Sequence, residues 1–249
     1  MLTERRKLNR IKAPLKNRLL ASLSESDQNK ILPLLERVKL VTENTALNAG
    51  ERFTDVIFPT TSIISLKFDS QDGRMVEVGA IGNEGLVGSS FMMGIGITAL
   101  RMHVIYSGYG YRIKSKDFYR LLEVLPSLKS QITLYAQLLF AQTCVNVACN
   151  RLHSIEQQYA KLLLFTADSL ATNNLLFSHQ SMSARLGVRR ESVTTTSKKL
   201  KDAEVIDYSR GKFMILNRSE LQNMACECYS IFNKELSFLY ENKKEDSDA

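Results

Sequence analysis

Residues 178–218 read SHQSMSARLGVRRESVTTTSKKLKDAEVIDYSRGKFMILNR. Ser178 is a favourable helix N-cap, and Gly187 is the residue type that most readily ends a helix in a left-handed turn. A second helix, dense in Arg, Lys and Thr, is expected over 189–200, and a β-rich hairpin with a basic turn is expected over 205–216. Helix, tight turn, helix and hairpin in this order predict a winged helix-turn-helix, which is a DNA-binding module.

The second predicted helix has two chemically different faces. At 3.6 residues per turn, Val193, Ser197 and Leu200 fall on one side, which leaves a polar and basic side free. By the geometry of base edges, Arg190 suits a guanine and Glu191 suits the amino group of a cytosine. A solvated basic helical hairpin in another fold is the alternative interpretation. The residues expected to contact DNA are Ser178, His179, Gln180, Arg189, Arg190, Glu191, Thr194, Thr195, Lys198, Arg210 and Lys212.

Basic charge is concentrated in two segments. The chain has 249 residues, a formal net charge of +7 and 44% hydrophobic residues, which is enough for two modest domains. Residues 178–218 contain nine Lys or Arg against four acids, and residues 1–18 contain seven against one. The first of these segments fits a nucleic-acid partner. The N-terminal arm, 1–20, could contact DNA or another subunit or be a weakly helical terminus, and 241–249 form a charged tail.

Short strands dominate the region before the helices. Asp72-Gly73 is a strong hairpin signal within it. Strands first and helices afterwards predict an α+β protein, with an antiparallel barrel over 21–125 and a DNA-binding domain over 153–240. The predicted strands are brief, rich in β-branched and aromatic residues, and separated by turn residues: 56–59, 63–68, 75–78, 103–106 and 111–113.

Several classes of protein are not expected. No segment resembles a signal peptide or a membrane span, so we expect a cytoplasmic protein with no membrane partner. No phosphate-binding loop, nucleophile elbow or catalytic carboxylate pair is recognisable, so we expect no enzymatic activity. The alternative to a DNA-binding regulator is a β-roll ligand-binding or scaffold module with an incidental basic C-terminal domain.

Four short motifs carry a resemblance to a known family. GVRRESV at 187–193 and the segment 200–211 resemble the DNA-binding domain of the Crp/Fnr family of bacterial transcription regulators, and GER at 50–52 and GLVG at 85–88 are similar to its cyclic-nucleotide-binding β-roll. The resemblance implies a jelly-roll-like β-roll, a long dimerisation helix and a C-terminal winged helix-turn-helix. It also implies double-stranded DNA, a second copy of the chain and RNA polymerase as partners. Family members often carry a second Arg where Thr195 stands, so the operator should differ from the family's best-known palindrome.

The effector pocket departs from the family pattern. Cyclic-nucleotide binders hold the ligand with a Gly-Glu-Leu turn and a later Arg-Ser or Arg-Thr pair, whereas this chain has Gly88-Ser89-Ser90, then Thr98 and Arg101. A buried cyclic phosphate needs a charged partner, and only a shifted Arg101 could supply one. We therefore expect no cyclic nucleotide cofactor. The apolar loop over 91–97 could line a pocket for another effector or simply fill the space.

A long helix is expected over 126–152. Its apolar residues form two stripes, which is more than packing against one domain requires. The second stripe is expected to meet its copy in a two-fold dimer, although a fully buried helix in a monomer would also account for it. The residues of this predicted dimer stripe are Leu134, Leu138, Ala141, Val145 and Ala148.

Cysteines and histidines give only a partial metal motif. Cys149 and His153 are four residues apart, and Cys226 and Cys228 form a second pair, but soft-metal sites usually need three or four ligands. Only proximity of the two pairs in the fold would make a site. The arm lacks the cysteines that the family's iron–sulfur sensors carry there. No metal and no iron–sulfur cluster are therefore expected, and these cysteines, like Cys144, are assigned no role.

Overall fold

The computed structural model of the chain describes residues 15–42, 44–72, 75–90, 94 and 96–241. The protein divides into two compact units. The first comprises residues 1–64, 81–138 and 239–249, and the second comprises 65–80 and 139–238. The polypeptide passes between the units four times, after residues 64, 80, 138 and 238, and the third crossing lies within its longest helix.

The strands precede the long helices, as predicted, although two short helices and a 3₁₀ turn come before the first strand. The elements are α1 Arg18–Ala21, α2 Glu25–Ile31, a 3₁₀ turn Leu32–Leu34, β1 Glu36–Leu40, β2 Thr45–Leu47, β3 Asp55–Pro59, β4 Ile63–Asp69, β5 Met75–Ile81, β6 Arg101–Tyr106, β7 Gly108–Lys114, α3 Ser115–Val124 and α4 Pro126–Leu152. All five predicted strands are present, whereas β1 and β2 were not predicted. The hairpin signal at Gly73 lies outside the described residues.

Two sheets form the β-roll. One has the strand order β1-β7-β3 and the other the order β2-β6-β4-β5. β7 pairs antiparallel with both β1 and β3, and β2 pairs antiparallel with β6. Phe58 of β3 and Phe118 of α3 are fully buried, with ring centroids 6.2 Å apart in an edge-to-face contact. The fold class is α+β with an N-terminal antiparallel β-roll, as the sequence predicted.

Gly85 and Tyr135 make a close approach in the first unit. The Tyr135 side chain is 1% exposed and its ring covers the glycine. A Cβ atom at Gly85 would lie 2.0 Å from Cζ of Tyr135, which is far inside any van der Waals contact. The absence of a side chain at Gly85 is therefore what lets the tyrosine of α4 pack there.

The second unit is mostly helical with a small sheet. Its remaining elements are α5 Ile155–Leu170, β8 Asn174–Leu176, α6 His179–Leu186, α7 Arg190–Asp202, β9 Ile206–Ser209, β10 Lys212–Ile215, α8 Arg218–Met224 and α9 Cys228–Glu241. A capping box starts α5, since Ser154 Oγ accepts from Gln157 N at 3.3 Å and Gln157 Oε1 accepts from Ser154 N at 2.9 Å. The sheet order is β8-β10-β9, so the predicted hairpin gains a third strand.

α4 spans the predicted 126–152, but two members of its predicted dimer stripe are turned inward. Leu138 is 4% exposed, and Val145 packs against a cluster of buried cysteines. Leu138 is therefore part of the core and cannot lie on a free surface, whereas Val145 is half-buried and keeps part of its surface open. The outer apolar positions are instead Phe140 and Val147, which are 65% and 66% exposed.

The exposed stripe retains part of the prediction. Leu134 and Ala148 are exposed, while Ala141 is half-buried. Among the described residues, α4 is the one helix whose length and apolar composition would allow it to cross a membrane, and this is weak evidence of a span. A helix that pairs with another helix has the same composition.

Candidate nucleic-acid interface

α6 and the turn after it have the predicted geometry. Ser178 Oγ accepts a hydrogen bond from Ser181 N at 3.0 Å, which caps the helix. Gly187 ends the helix at φ 65°, in the left-handed region, and Val188 N returns to Ser183 O at 3.1 Å. Met182 is fully buried beneath the turn. The turn thus fixes how α7 leaves α6.

The inner face of α7 is held by packing and one buried polar contact. Val193 and Leu200 are fully buried, and so is Ser197. Ser197 Oγ donates to Val193 O at 2.8 Å, so the Tyr159 hydroxyl of α5 donates to Ser197 Oγ across 2.6 Å. Burial raises the pKa of Tyr159, which keeps the phenol protonated as this hydrogen bond requires.

The outer face of α7 carries the predicted base-reading and phosphate-contacting residues. Arg189 is the N-cap residue, and Arg190 and Glu191 form the first turn. Their side chains are exposed, as are those of Thr194, Thr195 and Lys198, and also those of Ser178, the N-cap of α6, and Gln180 within α6. The polar face therefore runs along the helix as the sequence predicted.

His179 connects α6, α7 and the hairpin. Its ring lies 5.3 Å from the Tyr208 ring and 5.8 Å from the Phe213 ring, measured between centroids. Thr194 Oγ1 donates to Arg190 O, so His179 Nδ1 is the donor in its 3.1 Å contact with Thr194 Oγ1.

The electrostatics of His179 favour its neutral form. Burial, and then the positive charge of Arg190, lower the pKa of His179 below its usual value. A half-buried, neutral imidazole is suited to orienting α7. It is less suited to the phosphate contact that its position in the sequence suggested.

The wing is the hairpin of β9 and β10, whose two-residue turn is basic. β9 and β10 pair antiparallel, with Lys212 opposite Ser209. Arg210 and Gly211 join them at φ 48° and 81°, which matches a type I′ turn. Gly211 O accepts from Phe177 N at 2.9 Å, so the turn is anchored to the chain just before α6.

Ion pairing divides the basic residues of this segment into two groups. Four of the nine are paired within the chain: Arg185 with Glu77, Lys199 with Glu156, Lys201 with Asp207 and Arg218 with Asp168. The other five, all exposed, have no ion pair among the described residues: Arg189, Arg190, Lys198, Arg210 and Lys212. These five are the cations that the sequence analysis assigned to DNA, and they lie on α7 and the wing.

The pair between Arg185 and Glu77 was missed by sequence reasoning. Arg185 Nε lies 3.1 and 3.0 Å from the two carboxylate oxygens of Glu77, and one oxygen also accepts from Ser65 Oγ at 2.6 Å. The side chains of Arg185 and Glu77 are only 4% and 10% exposed. Arg185 therefore holds α6 in place and is not available to DNA. No local sequence signal marks the pair, because the two residues are 108 positions apart.

The predicted effector residues are mostly used for local structure. Ser89 and Thr98 are buried, and Thr98 Oγ1 exchanges two 3.0 Å hydrogen bonds with the backbone of Leu100. Gly88 has φ 111°, and Arg101 is the first residue of β6. Ser90 Oγ is buried without a hydrogen-bond partner among the described atoms. Residues 91–93 and 95 of the apolar loop lie outside the described part of the chain.

The two cysteine and histidine pairs meet. The ligand atoms of Cys149, His153, Cys226 and Cys228 all lie within 4.8 Å of one another. This is the proximity that the metal hypothesis required. A hydrogen bond from Cys226, and then the charge of Lys161, lower the pKa of the Cys149 thiol well below its usual value.

Comparisons with known proteins agree with this geometry. Residues 157–224 match the family model described as the Crp-like helix-turn-helix domain. None of the curated protein sequences compared with the chain matches it. Among solved structures, FixK2 from Bradyrhizobium japonicum has a TM-score of 0.67 at 13% identity, over 77% of this chain and 98% of that chain.

Two further structures have similar folds. A putative transcriptional regulator of the Crp/Fnr family from Eubacterium rectale has a TM-score of 0.62 at 16% identity, over 83% of this chain and 96% of that chain. The c-di-GMP-responsive global regulator CLP of Xanthomonas campestris has a TM-score of 0.63 at 13% identity, over 77% of this chain and 99% of that chain. At these identities the likeness is one of fold.

Proposed function

We propose that this chain is a Crp/Fnr-type transcription regulator that binds a palindromic operator in the cytoplasm as a homodimer. The match of residues 157–224 to the Crp-like helix-turn-helix domain and the fold shared with a Crp/Fnr-family regulator support this proposal. In this proposal α7 enters the major groove and the wing holds the flanking phosphates. RNA polymerase is the expected protein partner, as the family resemblance implies.

One observation carries the DNA-binding proposal. Of the nine basic residues of 178–218, the five with no ion pair among the described residues are exposed together on α7 and the wing: Arg189, Arg190, Lys198, Arg210 and Lys212. Exposed cations that neutralise DNA phosphates release counterions, and this release dominates affinity. Cations already paired with carboxylates contribute less, so five exposed cations grouped on α7 and the wing favour that surface as the contact.

Recognition of the DNA bases is assigned to the first turn of α7. Arg190 and Glu191 are exposed there, and Thr195 stands one turn later. Arg190 is suited to the O6 and N7 atoms of guanine, and Glu191 to the amino group of cytosine. A threonine offers a hydroxyl and a methyl group where many relatives offer a guanidinium, so we expect a preference distinct from theirs.

The test is selection of DNA from a random pool at one fixed salt concentration. The wild-type protein is expected to select a palindrome, and Arg190→Ala and Glu191→Ala are expected to relax the preference at one base pair of each half-site. The matched control is Lys199→Ala, since Lys199 lies on the same helix but is paired with Glu156 at 2.5 Å. Selection of no sequence by the folded wild-type protein would refute the proposal and favour the scaffold alternative.

Cyclic nucleotide is not the effector in this proposal. The turn at Gly88-Ser89-Ser90 offers hydroxyls and no carboxylate, and the hydroxyl of Thr98 is already used by Leu100. Neutral groups offset the desolvation of a buried phosphate poorly. Titration calorimetry with cyclic AMP and cyclic GMP is expected to give no binding. Micromolar binding that sharpens DNA selection would overturn this part of the proposal.

Dimerisation is assigned to the outer stripe of α4. Phe140, Cys144 and Val147 follow at spacings of four and three and are all exposed. Such spacing is that of a helix–helix seam. A two-fold dimer would present two copies of α7 to a two-fold symmetric operator.

A further inference from the structure

Four potential metal ligands come together from two separate parts of the second unit. Cys149 lies in the last turns of α4 and His153 follows that helix, while Cys226 and Cys228 flank the start of α9. Cys149 Sγ is 3.6 Å from Cys226 Sγ, and Cys228 Sγ is 3.6 Å from His153 Nδ1. The three cysteines are at most 4% exposed. The donors are therefore grouped and shielded from water.

These separations match those across a tetrahedral zinc ion. With Zn–S bonds of about 2.3 Å and Zn–N bonds of about 2.0–2.1 Å, tetrahedral angles place two sulfurs about 3.8 Å apart and a sulfur and a nitrogen about 3.6 Å apart. The observed distances are both 3.6 Å. A multinuclear cluster, in which each thiolate binds a different iron, would need the donors farther apart. The spacing thus favours a single ion.

A second contact orients the histidine as a ligand. His153 Nε2 lies 3.1 Å from Glu227 Oε1, so the carboxylate accepts the Nε2 proton and the lone pair of Nδ1 faces Cys228. The backbone carbonyl of His153 accepts a further hydrogen bond from Gln158 Nε2 at 2.9 Å. A carboxylate on the far nitrogen is the usual support of a metal-bound histidine.

The charge beside the cluster is also suited to a zinc ion bound by three thiolates. Lys161 Nζ is buried and lies 3.0 Å from Cys149 Sγ and 3.1 Å from Asn146 Oδ1. Zn²⁺ with three thiolates carries one net negative charge, which Lys161 would offset.

We propose that Cys149, His153, Cys226 and Cys228 form a closed, tetrahedral Cys₃His site that binds one Zn²⁺ ion per chain. Each thiol that is still protonated releases its proton to solvent as its sulfur binds the ion, and no electron is transferred. The site fastens the end of α4 to the junction between α8 and α9. It is a structural site in the second unit, and it stands independently of the DNA sequence that the protein selects.

The test begins with the reduced full-length chain. Protein purified without chelator is expected to contain one zinc per chain by elemental analysis. Apoprotein titrated with Co²⁺ under reducing conditions is expected to show intense visible ligand-field bands and thiolate-to-cobalt charge transfer, and added Zn²⁺ should abolish both. A Co²⁺ spectrum without thiolate charge transfer, or reduced apoprotein that takes up neither metal, would overturn the proposal.

Substitutions distinguish the proposed zinc ligands from residues that do not bind the ion. Cys226→Ser is expected to lose the cobalt spectrum, whereas Cys144→Ser should keep it, because Cys144 is exposed on α4 outside the cluster. Glu227→Gln should keep the bands and weaken zinc affinity by about 10–100-fold. If Cys226→Ser fails to fold, the cobalt spectrum of the wild type and the zinc affinity of Glu227→Gln still test the proposal. Loss of the bands in Cys144→Ser, or a Cys149–Cys226 disulfide in protein kept under argon, would contradict the site.

Discussion

Arg185 of α6 donates from Nε to both carboxylate oxygens of Glu77, at 3.1 and 3.0 Å, in a site where both side chains are at most 10% exposed. Arg185 Nη1 also reaches Thr166 Oγ1 at 3.4 Å. Two buried charges thus fix α6, the helix that precedes α7. Arg185 is one of the basic residues of 178–218, but in the fold its charge is buried against Glu77 and is not available to DNA.

Removing one member of this pair should destabilise the protein strongly. Glu77→Ala leaves a buried guanidinium without its counter-charge, and such losses cost about 3–5 kcal/mol. The double variant Glu77→Leu/Arg185→Leu should cost less than Glu77→Ala, because no charge is stranded. Urea unfolding of the three proteins measures the difference. A Glu77→Ala protein within about 1 kcal/mol of the wild type would show that the pair is not buried in solution.

Salt dependence should separate the free cations from the paired ones. Lys198→Ala and Lys212→Ala should each weaken binding to all sequences and lower the slope of log affinity against log salt by about 1. Lys199→Ala should leave the slope nearly unchanged, because Glu156 already pairs with that ammonium. Fluorescence anisotropy over a series of salt concentrations measures the slopes. Equal slopes for all three variants would place the DNA contact elsewhere.

His179 should make stability fall as the pH drops. Burial and the charge of Arg190 lower its pKa in the folded state, so below about pH 6.5 the unfolded chain binds more protons than the folded one. The free energy of unfolding should therefore decrease from about pH 6.5 downwards and level off below the folded pKa. Wild type and His179→Gln are compared by urea unfolding at about pH 8 and about pH 5. Equal losses in both proteins would remove His179 as the cause.

The outer stripe of α4 should control the oligomeric state. Phe140→Asp and Val147→Asp place a charge where each side chain is 65–66% exposed, and both should shift the protein toward its 28.2 kDa monomer. Val124→Asp is the matched control, because Val124 is 63% exposed but belongs to α3 and not to the stripe. Light scattering after size exclusion reports the mass. If both variants remain dimeric while retaining the wild-type fold, another surface joins the subunits.

The features that could be predicted from the sequence depend on residues that are close together in the chain. The cap at Ser178, the turn at Gly187 and the two faces of α7 depend on residues within a few positions of one another, and all are present. β1 and β2 were missed because they lack such a local signal. β1 reads ERVKL and has only its last residue buried, and β2 has three residues, so neither shows the alternation of a half-buried strand.

Contacts between distant segments could not be predicted. Glu77 and Arg185 are joined only by the tertiary fold, and the same is true of Cys149 and Cys226, which are 77 positions apart. The burial of Leu138 and the half-burial of Val145 depend on such contacts too. Periodicity places a residue on a helix face, but which face becomes buried depends on elements whose positions the pattern does not contain.

The packing of Tyr135 on Gly85 restricts how this protein can evolve. Every single substitution at Gly85 adds a Cβ atom 2.0 Å from the tyrosine ring, whereas a smaller residue at Tyr135 first opens the space that such a change needs. A change at Tyr135 before Gly85 avoids this clash, whereas the reverse order requires the buried ring to move. Among descendants of this chain they should co-vary, and the ring and a side-chain-bearing residue at position 85 should not be inherited together.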